Sequence, residues 1–169
     1  MNSGDTEKQV VKQLNPLSCV AAAAEMITMY PPRILRKQEE LVALLTGQID
    51  SQMAGKFNKF SLLALKNELG DRYVLDRVEQ VAVAKWTDTE AIEFNAKSID
   101  KFAVGKVDWI AQVVDDAGPH EVVVHKVCGY DAEQHVILQI KDPWDATYFK
   151  MSSKDFGHYF SGTVLMYKD

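Results

Sequence analysis

The sequence lacks several features that would place it in a common functional class. Its two cysteines, Cys19 and Cys128, are too few for a disulfide framework. Its 19 basic residues are outnumbered by 24 acidic ones, whereas nucleic-acid-binding modules need clustered positive charge to hold phosphates. No apolar run approaches the roughly 18 residues of a membrane-spanning helix, and the sequence has no glycine-rich phosphate loop. These absences argue against a nucleic-acid partner, membrane insertion and a nucleotide cofactor.

The composition predicts one globular domain. Apolar residues make up 47% of the chain and charged residues 25%, which are ordinary values for a folded protein. A chain of 169 residues can bury about two thirds of its unfolded surface and needs no disulfide or metal to fold. Residues 1–8 are polar and lack the apolar core of a signal peptide. We expect a polar arm over residues 1–12 and a single domain over residues 13–169, in a soluble, reduced protein.

Helices are predicted in the first two thirds of the chain. Four consecutive alanines predict a helix over residues 17–30, ended by Pro31 and Pro32. Apolar residues at helical spacing predict four more helices. These cover residues 37–45, 61–69, 88–97 and 107–116.

Strands are predicted in the last third. Residues 121–130 and 135–140 are rich in β-branched and apolar side chains, which predicts a hairpin with its turn at 131–134. A turn at 142–145 follows, then a strand over 147–151, a helical turn over 153–160 and a strand over 163–167. A helical part followed by antiparallel strands predicts an α+β fold rather than a βαβ alternation.

Cys19 is the most informative single position, because it lies in the first turn of the predicted alanine-rich helix. Backbone N–H groups at a helix N-terminus are unpaired and carry partial positive charge, which stabilises a thiolate. The thiolate is the nucleophilic form of cysteine. Free cysteines are also common as small buried apolar residues, so the helix position alone leaves both interpretations open.

Other side chains could complete a nucleophilic site with Cys19. Gln13 precedes it by six residues, and an amide there can donate to the oxyanion that forms when a thiolate attacks a carbonyl. A histidine on the first hairpin strand and Asp142, which follows the second strand, supply the remaining parts of a Cys-His-Asp relay. Asp142 precedes a proline, so a purely structural role in a turn is an equal alternative.

The segment Gln-Leu-Asn-Pro-Leu-Ser-Cys at residues 13–19, with Met26 and Tyr30 in the helix that follows, resembles the nucleophile segment of papain-fold cysteine peptidases. It is most similar to the double-glycine leader peptidases of bacteriocin exporters and to related bacterial effector proteases. The Asp-Pro-Trp at 142–144 and the residues up to 165 resemble two parts of that family, the loop that carries its third catalytic residue and its closing strand. The resemblance covers roughly residues 13–167. It implies a papain-like fold with the cysteine on the helical half and the histidine and aspartate on the sheet.

Two histidines, His120 and His125, are candidates for the catalytic base. Relatives place a Gly-Tyr-Asp turn about six residues after the histidine and about ten before the aspartate, so that the two side chains meet across the hairpin. Here Gly129 follows His120 by nine residues and precedes Asp142 by thirteen. Both arms of the hairpin are therefore longer than in the relatives by about three residues, which keeps the histidine and the aspartate in register. With His125 one arm would shorten while the other lengthened. We therefore expect His120 to be the base and His125 to have a structural role, and the choice between them stays open.

The spacing of the remaining candidate ligands predicts no metal site. No two histidines have ligand spacing on one helix, and the two cysteines are far apart in the chain. We expect His135 to be an ordinary surface residue. We expect Cys128 to be packed within its strand and unreactive.

The resemblance implies a thiol hydrolase that acts on a protein or peptide substrate and needs no cofactor. Cys19 would attack the carbonyl, His120 would accept its proton and Asp142 would orient the imidazole, with Gln13 at the oxyanion. Such a protein is cytoplasmic, or secreted without a signal peptide as an effector or toxin. A glutamine deamidase or transglutaminase on the same triad, and a catalytically inactive papain-fold binding module, are the alternatives.

Overall fold

A computed structural model describes residues 10–14, 19–46, 57–116 and 118–168. Residues 1–9 of the predicted arm and residues 17 and 18 of the first predicted helix lie outside these ranges. The elements in chain order are α1 (Cys19–Ile27), α2 (Gln38–Thr46), α3 (Phe57–Leu69), β1 (Tyr73–Arg77), α4 (Thr89–Ala103), β2 (Trp109–Asp115), β3 (Gly118–Tyr130), β4 (Val136–Asp142), β5 (Thr147–Ser152), α5 (Ser153–Phe156) and β6 (Phe160–Tyr167). The predicted α+β class is confirmed: helices dominate the N-terminal half and an antiparallel sheet the C-terminal half.

Helix α1 is the buried helix that carries Cys19. All nine of its residues are buried, which its run of alanines permits because small side chains let the helix approach the sheet closely. It ends at Ile27, three residues before the predicted end. There the Thr28 hydroxyl donates to the carbonyl of Ala24 (2.8 Å) and the Arg33 guanidinium donates to the carbonyl of Ile27 (2.7 Å). These side chains satisfy the terminal carbonyls in place of a further turn.

Helices α2, α3 and α4 lie near their predicted positions, but α3 begins at Phe57 instead of residue 61, and α4 extends further at its C-terminal end. It begins after Asp88, whose carboxylate accepts from the backbone N–H of Ala91, and it runs to Ala103 instead of ending at residue 97. Its buried face continues through Ile99 and Ala103 at helical spacing, which the shorter prediction left out. In the described parts of the chain, every helix is too short or too polar to cross a membrane.

The sheet has six strands in the order β1-β6-β2-β3-β4-β5, and every neighbouring pair is antiparallel. The predicted hairpin is confirmed as β3 and β4. The predicted strands near residues 147–151 and 163–167 are confirmed as β5 and β6, and the predicted helical turn between them as the short α5. Strand β1 was not predicted; it forms an edge by pairing with β6.

The helix predicted over residues 107–116 is wrong, because this segment is strand β2. It lies between β6 and β3, where Ile110 pairs with Val123 on one side and Leu165 on the other. A short apolar run fits a buried strand as well as a helix, so periodicity alone could not decide. Its β-branched side chains at 110, 113 and 114 favour the extended form once partners are available on both sides.

The sheet has a hydrophobic core on each face. We call the face covered by α1, α2 and α3 the α1 face; Cys19, Ile110 and Val123 belong to its core. We call the face covered by α4 and α5 the α4 face, and Val122 and Val124 belong to its core. Successive residues of a strand point to opposite faces, which is why Val123 and its two neighbours lie in different cores.

Candidate active site

His120 and Asp142 are in direct contact at one end of the β3–β4 hairpin. Nε2 of His120 lies 2.6 Å from Oδ1 of Asp142, and the backbone N–H of Trp144 donates to the same oxygen at 2.9 Å. Val123 pairs with Lys141, so His120 occupies a diagonal position relative to Asp142 on the same face. The contact that the hairpin register predicts is therefore present.

The two groups stabilise each other's charged forms. Burial raises the pKa of Asp142, but the hydrogen bonds from His120 and from the Trp144 N–H outweigh it, and the net pKa is below the ordinary value. Burial lowers the pKa of His120, but the hydrogen bond and charge of Asp142 outweigh it, and the net pKa is raised. The pair thus favours an imidazolium beside a carboxylate. In a catalytic triad the same ion pair forms when the histidine accepts a proton, and the carboxylate orients the ring.

The thiol of Cys19 has a different partner. Its Sγ lies 2.9 Å from Oε2 of Glu121, and the other carboxylate oxygen of Glu121 lies 3.5 Å from the Gln112 amide. Cys19 is 2% exposed and Glu121 is fully buried. The thiol therefore donates to a carboxylate in the interior of the protein.

This environment keeps Cys19 protonated. Burial raises the pKa of the Cys19 thiol well above its ordinary range, and the negative charge of Glu121 and its hydrogen bond add to the effect. Burial also raises the pKa of Glu121, against the smaller opposing effect of the hydrogen bonds from Cys19 and Gln112. The lowering of the pKa expected from the helix N-terminus is outweighed, so the described geometry does not present a thiolate.

Cys19 and His120 belong to opposite faces of the sheet. Glu121 directly follows His120 on the extended strand β3, so their side chains point in opposite directions. Glu121 points to the α1 face, where it meets Cys19, and His120 points to the α4 face beside Val122. Of the three predicted triad residues, the structure brings together His120 and Asp142, while Cys19 contacts the residue adjacent to His120.

Gln13 lies beside the turn that follows Asp142. Its backbone N–H donates to the carbonyl of Pro143 at 2.8 Å, and the residue is buried. The next residue, Leu14, donates its N–H to the side-chain oxygen of Gln38 on α2 at 2.7 Å. These contacts fix residues 13 and 14 between α2 and the Asp142 turn. All four predicted site residues therefore surround the same end of the sheet.

A small apolar cavity adjoins the histidine–aspartate pair. It has a volume of about 170 Å³ and is lined by His120, Asp142 and apolar side chains that include Val122, Phe149 and Met151. The exposed ring of Trp144 stands edge-on to the imidazole at 6.5 Å between ring centres. The imidazole thus borders a space that suits an apolar group.

The remaining histidines and the second cysteine have defined environments. Nδ1 of His125 lies 2.6 Å from Oδ1 of Asp108, which agrees with the structural role expected for it. The surface position expected for His135 is wrong: the residue is 3% exposed, because α4 covers it with two acidic side chains. The packed position expected for Cys128 is wrong as well, since its side chain is exposed on β3.

Glu121 is the site residue that the sequence did not indicate. A glutamate in a run of valines is typical of an outward-facing strand position. The available signal was its position two residues before Val123 on the same strand. Residues two apart share a face of the sheet, and the face of Val123 is a core face.

Comparison with protein-family models found none that matches this chain, and comparison with curated proteins found no match either.

Proposed function

We propose that the protein is a papain-like, thiol-dependent hydrolase that cleaves a peptide or amide bond through Cys19, His120 and Asp142. The observation that carries the proposal is the 2.6 Å contact between His120 and Asp142, formed next to the strand residue on which the cysteine-bearing helix docks. The order of helices and antiparallel strands supports a papain-like fold. The Gln13 backbone N–H donates to the carbonyl of Pro143 near the same end of the sheet, which supports the proposed role of its side chain as an oxyanion donor.

The described geometry is a latent state in this proposal. Glu121 holds the thiol in its protonated form on the α1 face, while Nε2 of His120 is engaged by Asp142 and leaves Nδ1 for the nucleophile. Activation requires the Cys19 thiol to leave Glu121 and reach Nδ1 of His120. The start of β3 and the first turn of α1 are the parts that must shift.

The reaction then follows from the roles of the three groups. The proton of Cys19 passes to His120, and the thiolate adds to the substrate carbonyl, whose oxyanion is held by the Gln13 amide and the Cys19 backbone N–H. The C–N bond breaks as the imidazolium returns its proton to the departing amine. Water adds to the resulting thioester, gives a proton to His120, and releases the acid and the thiol. A deamidase uses the same steps on a glutamine side chain, and a transglutaminase replaces the water with an amine.

The burial of Cys19 favours a second candidate, a catalytically inactive papain-like binding module. In that case the contact between Cys19 and Glu121 is permanent, and the thiol is an interior donor with no chemical role. The two candidates differ in whether the reactivity of Cys19 depends on His120.

The first prediction tests this dependence by alkylation. Glu121→Gln removes the negative charge that opposes the thiolate and keeps the side-chain shape, so iodoacetamide should label Cys19 at pH 7 at least about tenfold faster than in the wild type. The rates are read by peptide mass spectrometry, with the exposed Cys128 as the internal reference.

The matched double variants separate the candidates. The gain should disappear in Glu121→Gln/His120→Ala and persist in Glu121→Gln/His125→Ala, because only His120 is proposed to accept the proton. Equal rates in the two double variants would end the hydrolase proposal and leave the binding module.

A further inference from the structure

Three potential metal ligands converge at the edge of the β3–β4 hairpin. They are Glu93 on α4, Glu133 in the turn between β3 and β4, and His135 immediately after it. One ligand atom from each lies within 4.8 Å of the ligand atoms of the other two. His135 is buried, whereas the two carboxylates are partly open to solvent. A buried imidazole that faces two accessible carboxylates is the arrangement of a site that a metal ion can enter from solvent.

The imidazole ring of His135 is fixed by a residue outside this group. Its Nδ1 lies 2.6 Å from Oδ2 of Asp100 on α4. Asp100 is itself held, because its other oxygen accepts from the Val136 backbone N–H at 3.0 Å and from the Ser153 hydroxyl. A histidine that binds a metal almost always donates its other ring N–H to a carboxylate or carbonyl, which fixes its tautomer and raises its basicity. Asp100 has this position.

The contact between His135 and Glu93 needs a proton or a metal ion between the ring nitrogen and the carboxylate oxygen. Nε2 of His135 lies 2.9 Å from Oε2 of Glu93. When Nδ1 donates its hydrogen to Asp100, a neutral ring presents a lone pair at Nε2, and an ionised carboxylate also presents lone pairs. Two acceptors at this distance need a proton or a metal ion between them. In a tetrahedral zinc site neighbouring ligand atoms are about 3.3 Å apart, so His135 and Glu93 need to separate by only a few tenths of an ångström.

The surroundings permit a cation to replace the present partners. Lys154 contacts Glu133 at 3.0 and 3.2 Å, and Lys97 lies 3.9 Å from Glu93. Both lysines are on the surface, where ion pairs contribute little to stability, so both can move away at small cost. The carboxylates of Glu93 and Glu133 line an open cavity that gives access from solvent. With Asp100 behind the ring, three carboxylates stand near the imidazole.

We propose that Glu93, Glu133 and His135 bind a divalent first-row transition-metal ion, with Zn²⁺ as the ion they suit best. An imidazole nitrogen with two carboxylate oxygens favours such an ion over Mg²⁺ and Ca²⁺, which prefer oxygen ligands alone. The ion ties α4 to the β3–β4 turn. The site is separate from the proposed hydrolase site and does not depend on that function. Spacing along the sequence missed it because Glu93 comes from a different element, 40 residues before Glu133.

The second prediction tests this site by titration of the full chain. Chelator-treated protein carrying Cys128→Ser, which removes the exposed thiol as a competing ligand, is titrated with ZnCl₂ in a calorimeter. We expect one saturable site per chain, unaffected by a large excess of Mg²⁺. Glu93→Gln and Glu133→Gln should each weaken binding by at least about tenfold, since second-shell losses alone reach that size. Glu90→Gln, one turn earlier on α4, is the matched control and should bind like the parent.

Two results would overturn the proposal. One is the absence of saturable Zn²⁺ binding in the parent, and the other is unchanged affinity in Glu93→Gln/Glu133→Gln. Glu133 lies in an exposed turn, so its variant should fold, and circular dichroism verifies this. In ¹⁵N-labelled protein, Zn²⁺ should shift the Nε2 resonance of His135; a shift confined to other histidines would assign the binding elsewhere.

Discussion

At the scale of single residues, the neighbours His120 and Glu121 have opposite environments. The imidazole is half-buried and paired with Asp142, whereas the carboxylate of Glu121 is fully buried and holds the Cys19 thiol. Strand alternation alone decides which of the two faces the cysteine-bearing helix. The difference between a latent and an active thiol in the proposed hydrolase therefore depends on the conformation at the start of β3.

The third prediction concerns the His120–Asp142 pair. Asp142→Asn removes the charge and the charged hydrogen-bond acceptor that raise the pKa of His120, so that pKa should fall. A pKa raised by folding contributes stability below the unfolded value, 6.5 for histidine, and loses it as pH rises through the folded value. The lowered pKa of Asp142 contributes stability above its unfolded value of 3.8. The free energy of unfolding lost in the variant should therefore be largest between pH 3.8 and pH 6.5, and the loss should shrink as the pH rises above 6.5.

Two measurements check this prediction. The NMR titration of the His120 ring protons gives its pKa, and urea unfolding at several pH values gives the stability difference. Asp145→Asn, in the same turn, is the control and should leave both unchanged. A His120 titration that is the same in Asp142→Asn and the wild type would contradict the contact.

At the scale of elements, most predictions that rest on local pattern agree with the structure. The helices near residues 37–45 and 61–69 and the β3–β4 hairpin follow from nearby residues, and the contact between His120 and Asp142 follows from the hairpin register. Strand β2 was wrongly predicted as a helix, because its form depends on a partner, β6, that lies far away in the chain. The contact of Cys19 with Glu121 spans 102 positions and depends on how α1 docks, which no local pattern encodes.

The fourth prediction concerns the junction between β6 and the end of β1. Gly162 has φ of 96°, and a Cβ there would lie 2.6 Å from the carbonyl oxygen of Val78. Gly162→Ala should lower the free energy of unfolding by about 1–3 kcal/mol, because it adds both backbone strain and a clash. Gly129→Ala in β3 is the control, since its Cβ meets nothing within 4 Å. Equal unfolding midpoints in urea for the two variants would contradict this account.

At the scale of the whole molecule, one sheet supports both proposed sites. Its α1 face carries the cysteine, and its α4 face carries the histidine–aspartate pair and packs against the helix that supplies Glu93. The middle strands β2 and β3 contribute side chains to both cores. A change in one core should therefore reach the other through these shared strands.

The fifth prediction is that the two cores unfold together. Ile110→Ala on the α1 face and Ile140→Ala on the α4 face each remove a buried side chain and should each lower the free energy of unfolding by about 2–5 kcal/mol. Because β2 and β3 belong to both cores, each variant should keep a single urea transition. Far-UV circular dichroism follows the whole fold, and fluorescence includes Trp109, which is buried in the α4-face core. Coincident curves in both variants fit one cooperative unit, in which loosening the α4 face also loosens the docking of Cys19. A fluorescence transition in Ile140→Ala that precedes the loss of helical signal would instead mean that the two faces unfold independently.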